Sequence, residues 1–216
     1  MKADPYKRLA RVYDLLLEPL NKGLRGLSLK KCPPRAGMKV LDVCCGTGVH
    51  LDLYRQGGCE VHGVDMSPSM LSVAKKRLGE GADLMMADAM ALPYGNRSFE
   101  LVICMLALHE MSPEVRSAVV GEMKRVMRDD GEMLLIDFHP GPFTGFKGHV
   151  ANIIITIAEF FAGREHFRQS RVFLRTGGLS TVVDASGLDI KLRRVVGSGT
   201  FTLLVCGRSG TGAFSS

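Results

Sequence analysis

The sequence predicts an α/β fold: a seven-stranded, mainly parallel sheet with helices on both faces, closed by a C-terminal antiparallel hairpin. Three observations carry this. Short β-prone runs alternate with helical segments between residues 38 and 138, the order that winds a parallel sheet. Phe99–Met105 is an apolar run of the kind found in strands buried on both faces. Asp189–Val196 and Thr200–Cys206 flank Gly197-Ser198-Gly199, a short glycine turn that joins antiparallel neighbours.

The elements follow in order. Asp4-Pro5 reads as an N-cap and a first-turn proline, opening a helix over roughly residues 5–20. Leu9, Val12, Tyr13, Leu16 and Leu17 share one of its faces. Pro33-Pro34 marks a linker near residues 30–37. Met38–Cys44 is the first strand, and a helix begins near Gly48. Glu60–Val64 is the second strand, followed by Ser67-Pro68, a cap and N1 proline that start a helix reaching about Leu78. Asp83–Ala87 is a short third strand and Phe99–Met105 the fourth. Ser112-Pro113 starts the next helix, which runs to Met127; Asp129-Asp130-Gly131 then turns the chain into Glu132–Phe138, the fifth strand. Beyond it, His149–Gly163 reads as an apolar helix, and residues 176–187 as a capped helix ending at a C′ glycine. One domain is expected: an N-terminal lid helix and linker (1–37), a cofactor-binding core (38–138), substrate-side helices (139–187) and the closing hairpin (188–207).

Composition narrows the function classes. The formal charge of +6 suits an anionic ligand, a membrane surface or nucleic acid without selecting one. The six cysteines form no C-x-x-C pair and sit mostly in apolar segments, so neither a zinc site nor a disulfide scaffold is expected, and no residues are assigned to a metal. They read as small buried hydrophobes in a reducing, cytoplasmic setting. The N-terminus lacks the apolar core of a signal peptide, and the longest apolar run, residues 150–162, is interrupted by Asn152 and Glu159.

The first strand runs into Cys44-Cys45-Gly46-Thr47-Gly48. Glycines there let backbone approach a ligand at a helix N-terminus. The third glycine of a dinucleotide loop is missing, with Leu51 in its place, and no Gly-Lys-Ser/Thr follows. Asp65 ends the second strand, nineteen residues after Gly46, where an acid accepts hydrogen bonds from ribose hydroxyls. Asp88 follows the third strand. Two rim acids without a phosphate loop suit a nucleoside that carries a positive centre and no phosphates, and S-adenosyl-L-methionine fits that description.

Four motifs in order then resemble the class I S-adenosylmethionine-dependent methyltransferases, with their Rossmann-like fold, and within them the ubiquinone/menaquinone-biosynthesis C-methyltransferase-like group. They begin at Val40 (VLDVCCGTG), Val64 (VDMSPSML), Ala87 (ADAMALPY) and Arg125 (RVMRDDGEMLLI). The resemblance implies that Asp42 and the Gly46–Gly48 loop face the methionine part, Asp65 the ribose and Asp88 the adenine, with Ala89 beside it. It places Met66 and Met90 against the adenine ring, Leu106 beside the sulfonium, and Tyr13 on a lid over the donor. Cys44 stands where the family usually has glycine. A thiolate nucleophile needs a cationic or basic partner, and none is legible near Cys44 or Cys45, so both read as loop packing.

Methyl transfer asks the protein mainly to align the acceptor and, where needed, remove a proton. His109, following the fourth strand, is the expected base or acceptor-orienting group, with His139 a weaker choice. The apolar stretch Ile153–Phe161 and the neighbouring Phe138, Phe143 and Phe146 favour a small hydrophobic acceptor, a quinone precursor methylated on carbon or a lipid amine on nitrogen. The same helix serves equally as an ordinary lid or as a peripheral membrane contact. His166, Arg168 and Arg171 form a basic cluster that faces either an anionic acceptor or solvent. An NAD-dependent oxidoreductase is the rival enzyme, opposed by Leu51 and Asp88. A nucleic-acid methyltransferase lacks an aromatic–basic platform and an Asn/Asp-Pro-Pro-Tyr-type motif after the fourth strand. A nucleoside-binding module without catalysis is the remaining alternative.

Overall fold

Seven strands form one sheet in the computed structural model, which describes residues 10–210, with side chains described from residue 21 onward except at 147, 158, 161 and 162. The strands are Lys39–Val43 (β1), Glu60–Asp65 (β2), Ala82–Met86 (β3), Phe99–Met105 (β4), Met127–Phe138 (β5), Leu188–Val196 (β6) and Phe201–Arg208 (β7). Their spatial order is β3-β2-β1-β4-β5-β7-β6. The first five are parallel, and β7 runs against both β5 and β6. The order reverses between β1 and β4, so the crevice beside β1 at the carboxyl ends is where a ligand is expected.

The helices are Ala10–Lys31 (α1), Val49–Gln56 (α2), Pro68–Leu78 (α3), Pro113–Val126 (α4), Gly145–Ala162 (α5), Arg164–Arg175 (α6) and Leu179–Ser186 (α7). Both Ser-Pro starts occur as read. Ser67 Oγ accepts the Met70 N–H at 3.1 Å and Ser112 Oγ the Val115 N–H at 3.4 Å, each satisfying an orphan donor of its first turn. The core is the middle of the sheet. Val40, Leu41, Val102, Ile103, Leu134, Leu135, Leu203 and Leu204 are fully buried, each contributing about 1.5–3 kcal/mol.

Four expectations are corrected. The first helix runs to Lys31 rather than about residue 20, so the linker is short. It docks through Ser28, whose hydroxyl meets His50 Nε2 at 2.6 Å, and through Tyr54, whose hydroxyl donates to the Cys32 carbonyl at 3.0 Å. Asp4-Pro5 and Leu9 lie outside the described residues; Tyr13 lies on α1, with its side chain outside them. Asp129-Asp130-Gly131 is a bulge inside β5, because Phe99 pairs with Met127 but Leu101 with Glu132. Gly131 permits it, since a Cβ there would sit 3.1 Å from the Phe99 and Glu100 carbonyls. His166, Arg168 and Arg171, read as a basic cluster without a helix, lie on α6. Thr176 ends that helix instead of capping the next, which starts at Leu179 after Gly178.

Candidate functional site

The loop after β1 is held by its neighbours. Asp65 Oδ2 accepts the Gly46 N–H at 2.9 Å, and Asp65 Oδ1 the Ser67 N–H at 2.8 Å. One carboxylate thus fixes both the glycine turn and the start of α3. Gly46 has φ +54° and open space at its Cβ position. Gly48 has φ +74°, and a Cβ there would lie 2.9 Å from Leu78 Cδ1 and 3.1 Å from Ala74 Cβ. Gly48→Ala is therefore expected to cost about 1–3 kcal/mol through backbone strain and crowding against α3, read by urea denaturation. Gly46→Ala should cost less, having strain alone.

Cys44, where glycine is usual in the resembling family, takes the same left-handed conformation, φ 61°, and Leu106 after β4 has φ 55°. Two non-glycine residues strained at the ends of adjacent strands mark a place where surroundings over-determine the backbone. The Cys45 and Cys104 thiols are poor nucleophiles. Burial, reinforced by Asp42 and Asp65, drives the Cys45 thiol well above its usual range, and Cys104 is raised by its hydrogen bond to Cys44 and by burial. All six cysteines are unpaired with one another.

Asp42 is buried at the end of β1. Burial, then the nearby Asp65 charge, pushes its carboxyl up to about 8. Asp88 is half-buried and accepts the Met90 N–H at 2.9 Å, which folds the Ala89–Met90 turn on itself. The following loop is clamped to α4 by Arg125, which donates to the Leu92 and Tyr94 carbonyls at 3.0 and 2.8 Å. Met66 and Met86 are each about two-thirds exposed, and Met90 is exposed too. Three apolar side chains on the rim beside Asp65 and Asp88 offer a flat ring something to pack against.

His109 lies away from water, in a 3-10 turn after β4. Its Nδ1 meets Asp137 Oδ1 at 2.6 Å and its backbone N–H donates to Asp137 Oδ2 at 3.1 Å. Its Nε2 lies 3.6 Å from Glu159 Oε1 and 3.9 Å from Glu110 Oε1. Burial alone would lower its pKa, but Asp137, Glu159 and Glu110 overcome that and raise it to about 10. Burial also works against Glu159, yet the two histidines bring it down to about 2. His166 on α6 turns inward, with Nε2 2.9 Å from Glu159 Oε2, whereas Arg168 stays in solvent beside Glu165. His139 is a structural tie: Nδ1 meets Thr202 Oγ1 at 2.8 Å, joining β5 to β7. The approach of Glu159 and His166 to His109 was not legible in sequence. The available signal was a lone carboxylate, Glu159, inside an otherwise apolar helix.

Residues fit a sulfonium nucleoside on the structure's own terms: ribose-competent Asp65, a buried carboxylate at Asp42 for a cation, open backbone at Gly46, and rim methionines. Residues 40–131 match a family model described as a methyltransferase domain. The chain is 36% identical over 113 residues to an uncharacterized methyltransferase of Synechocystis, covering 52% of this chain and 53% of that protein. It is 32% identical over 154 residues to a demethylmenaquinone methyltransferase of Thermus thermophilus, covering 65% and 67%. The chain thus spans about half the length of the first relative and about two-thirds of the second. A solved S-adenosylmethionine-dependent methyltransferase from Aquifex aeolicus shares the fold, with TM-score 0.60 at 16% identity over 84% of this chain and 88% of that one.

Proposed function

The chain belongs to the S-adenosylmethionine-dependent methyltransferases, and from that premise we propose that it methylates a small hydrophobic acceptor, a ring carbon of a quinone precursor being the leading choice. The observation that carries the donor half is the Asp65 carboxylate at the end of β2, which braces both the Gly46 turn and the α3 cap. When bound, S-adenosylmethionine supplies a methyl group already activated on a sulfonium sulfur.

The chain's own residues then bind and orient. Asp65 accepts from the ribose hydroxyls. Asp88 and Ala89 meet the adenine edge, with Met66 and Met90 on its faces. Asp42, Cys44 and the Gly46–Gly48 turn receive the amino-acid end, Leu106 borders the sulfur, and Tyr13 on α1 completes the lid. His109 orients the acceptor side rather than collecting a proton at neutral pH, because Asp137 and Glu159 keep its imidazole charged. The acceptor half rests on the demethylmenaquinone methyltransferase relative and on α5. One face of α5 carries exposed Phe146, Ile153, Ile154, Ile157 and Phe160, suited to an apolar tail or a lipid surface. Its other side, with Asn152, Ile155, Thr156 and Glu159, lines a cleft against Phe138, Phe143 and α6. No helix among the described residues is long and apolar enough to cross a membrane.

Calorimetric titration with S-adenosylmethionine, S-adenosylhomocysteine and NAD tests the donor. Binding of the first two and not NAD is expected; NAD binding alone would establish the oxidoreductase instead. Labelled methyl transfer into organic-extractable product, with a demethylquinone offered, tests the acceptor.

A pH dependence follows from Asp42. In the free protein its carboxyl is largely protonated below about 8, and a cation held against it favours ionisation. Affinity for S-adenosylhomocysteine, which carries an ammonium, should rise about tenfold per pH unit on approaching pH 8 from below and level off above it. One proton should be released per ligand bound, seen as a buffer-dependent heat. Asp42→Asn should flatten the profile; a flat wild-type profile would remove Asp42 from the cation site.

A further inference from the structure

Behind the acceptor cleft, two histidines and a glutamate from three separate elements converge. His109 follows β4, Glu159 comes from α5 and His166 from α6, and one ligand-capable atom of each lies within 4.8 Å of the others. Glu159 Oε2 and His166 Nε2 face each other at 2.9 Å, yet neither makes a hydrogen bond, and both atoms are buried. A buried acceptor and a ring nitrogen in contact without hydrogen-bond geometry call for a third party.

A cation fits that place. Zinc bonds to imidazole nitrogen and carboxylate oxygen are about 2.0–2.2 Å, so tetrahedral ligand atoms lie about 3.3 Å apart. His166 Nε2 lies 2.9 Å from Glu159 Oε2 and His109 Nε2 3.6 Å from Glu159 Oε1, so the two rings reach the carboxylate from either side at about that range. His109 is prepared as a metal-ligating histidine usually is, with Nδ1 fixed on a carboxylate, here Asp137 at 2.6 Å, and Nε2 aimed into the cluster. Carboxylates border the two rings on several sides, Asp137 at His109 Nδ1, Glu159 between the rings and Glu110 within 3.9 Å of His109 Nε2 and 3.8 Å of His166 Nδ1. Arg116, donating to the Leu108 and Met111 carbonyls at 2.9 and 2.8 Å, adds a fixed positive charge near Asp137.

We infer that His109 Nε2, Glu159 and His166 form a binding site for a divalent first-row metal ion, zinc fitting best, with Asp137 positioning His109 and Glu110 beside the remaining coordination position. The spacing along the chain, fifty residues and then seven, has no short ligand pair, which is why no metal was expected from the sequence. An ion there ties α5 and α6 to the turn after β4. If the methyl-transfer reading holds, it also offers a Lewis acid to an acceptor oxygen on the side where the donor methyl is presented.

The test is binding, not turnover. Full-length protein stripped with a chelator and dialysed is titrated with Zn2+ by calorimetry and with Co2+ by visible absorption. The variants are Glu159→Gln, His166→Gln and, as control, His149→Gln on the exposed side of α5. Expected are one equivalent of zinc and a tetrahedral cobalt spectrum without thiolate charge transfer. Affinity should fall about 10–100-fold in each of the first two variants and stay unchanged in the control. Zinc should also raise the melting temperature of the wild type and not of Glu159→Gln. Two site variants keep the test sound if one fails to fold. No saturable binding, binding kept in both variants, or a thiolate band pointing to the cysteines would overturn the inference. Donor titration of the same samples reports separately on the methyltransferase reading.

Discussion

Alanine at Asp65 is expected to abolish measurable binding of S-adenosylmethionine and S-adenosylhomocysteine in calorimetry, a loss of about a hundredfold at the least. The two charge-assisted hydrogen bonds proposed between Asp65 and the ribose hydroxyls would contribute about 1.5–3 kcal/mol each. The same carboxylate also holds the Gly46 and Ser67 N–H groups at 2.9 and 2.8 Å, so its removal also frees the Gly46 turn. Asp65→Asn separates these contributions. An amide keeps one acceptor oxygen and the local turn but loses the charge, so an intermediate affinity is expected. An unchanged far-UV spectrum for both variants shows that the effect is local. Affinity in Asp65→Ala within a few-fold of wild type would mean that the ribose lies elsewhere.

Asp137→Ala is expected to be the most destabilising single change near the site, by about 3–5 kcal/mol in urea denaturation. Asp137 is buried and accepts from the His109 backbone, from His109 Nδ1 and from the Phe138 N–H, the last at 2.8 Å. Removing one partner of a buried pair leaves the other charge without compensation. The exposed Glu165–Arg168 pair is the contrast; Glu165→Ala should fall within about 0.5 kcal/mol of wild type. A double-mutant cycle with His109→Ala identifies the source. If the cost resides in the imidazole–carboxylate pair, the double variant loses less than the two single losses combined. Additive losses would assign the Asp137 contribution to the backbone bonds instead.

How far the sequence reached depended on the range of the interaction. β4 was legible to the residue because an apolar run between polar neighbours reports burial on both faces. Ser67-Pro68 and Ser112-Pro113 were legible because capping is a contact three residues away. The bulge in β5 was misread as a turn, since Gly131 marks a bend in either case and only pairing with Phe99 and Leu101 distinguishes them. α6 was missed because its charged outer face dominates the sequence, while Gln169, Ser170 and Phe173 become buried only against neighbouring elements. The rim acids Asp65 and Asp88 were read from strand ends, and Asp42 from the family resemblance. What Asp65 holds, and that Asp88 folds its own turn, required coordinates.

By itself, then, the sequence determined the order of strands and helices, the glycine turn at a helix start and the acids on the strand ends, because each depends on residues a few positions apart. Tertiary structure alone decided that His109 would lie against Asp137, and that Glu159 and His166 would meet it. Those contacts join β4, β5, α5 and α6, and their chemistry arises from burial, which makes every missing partner costly and has no counterpart in the linear order of residues.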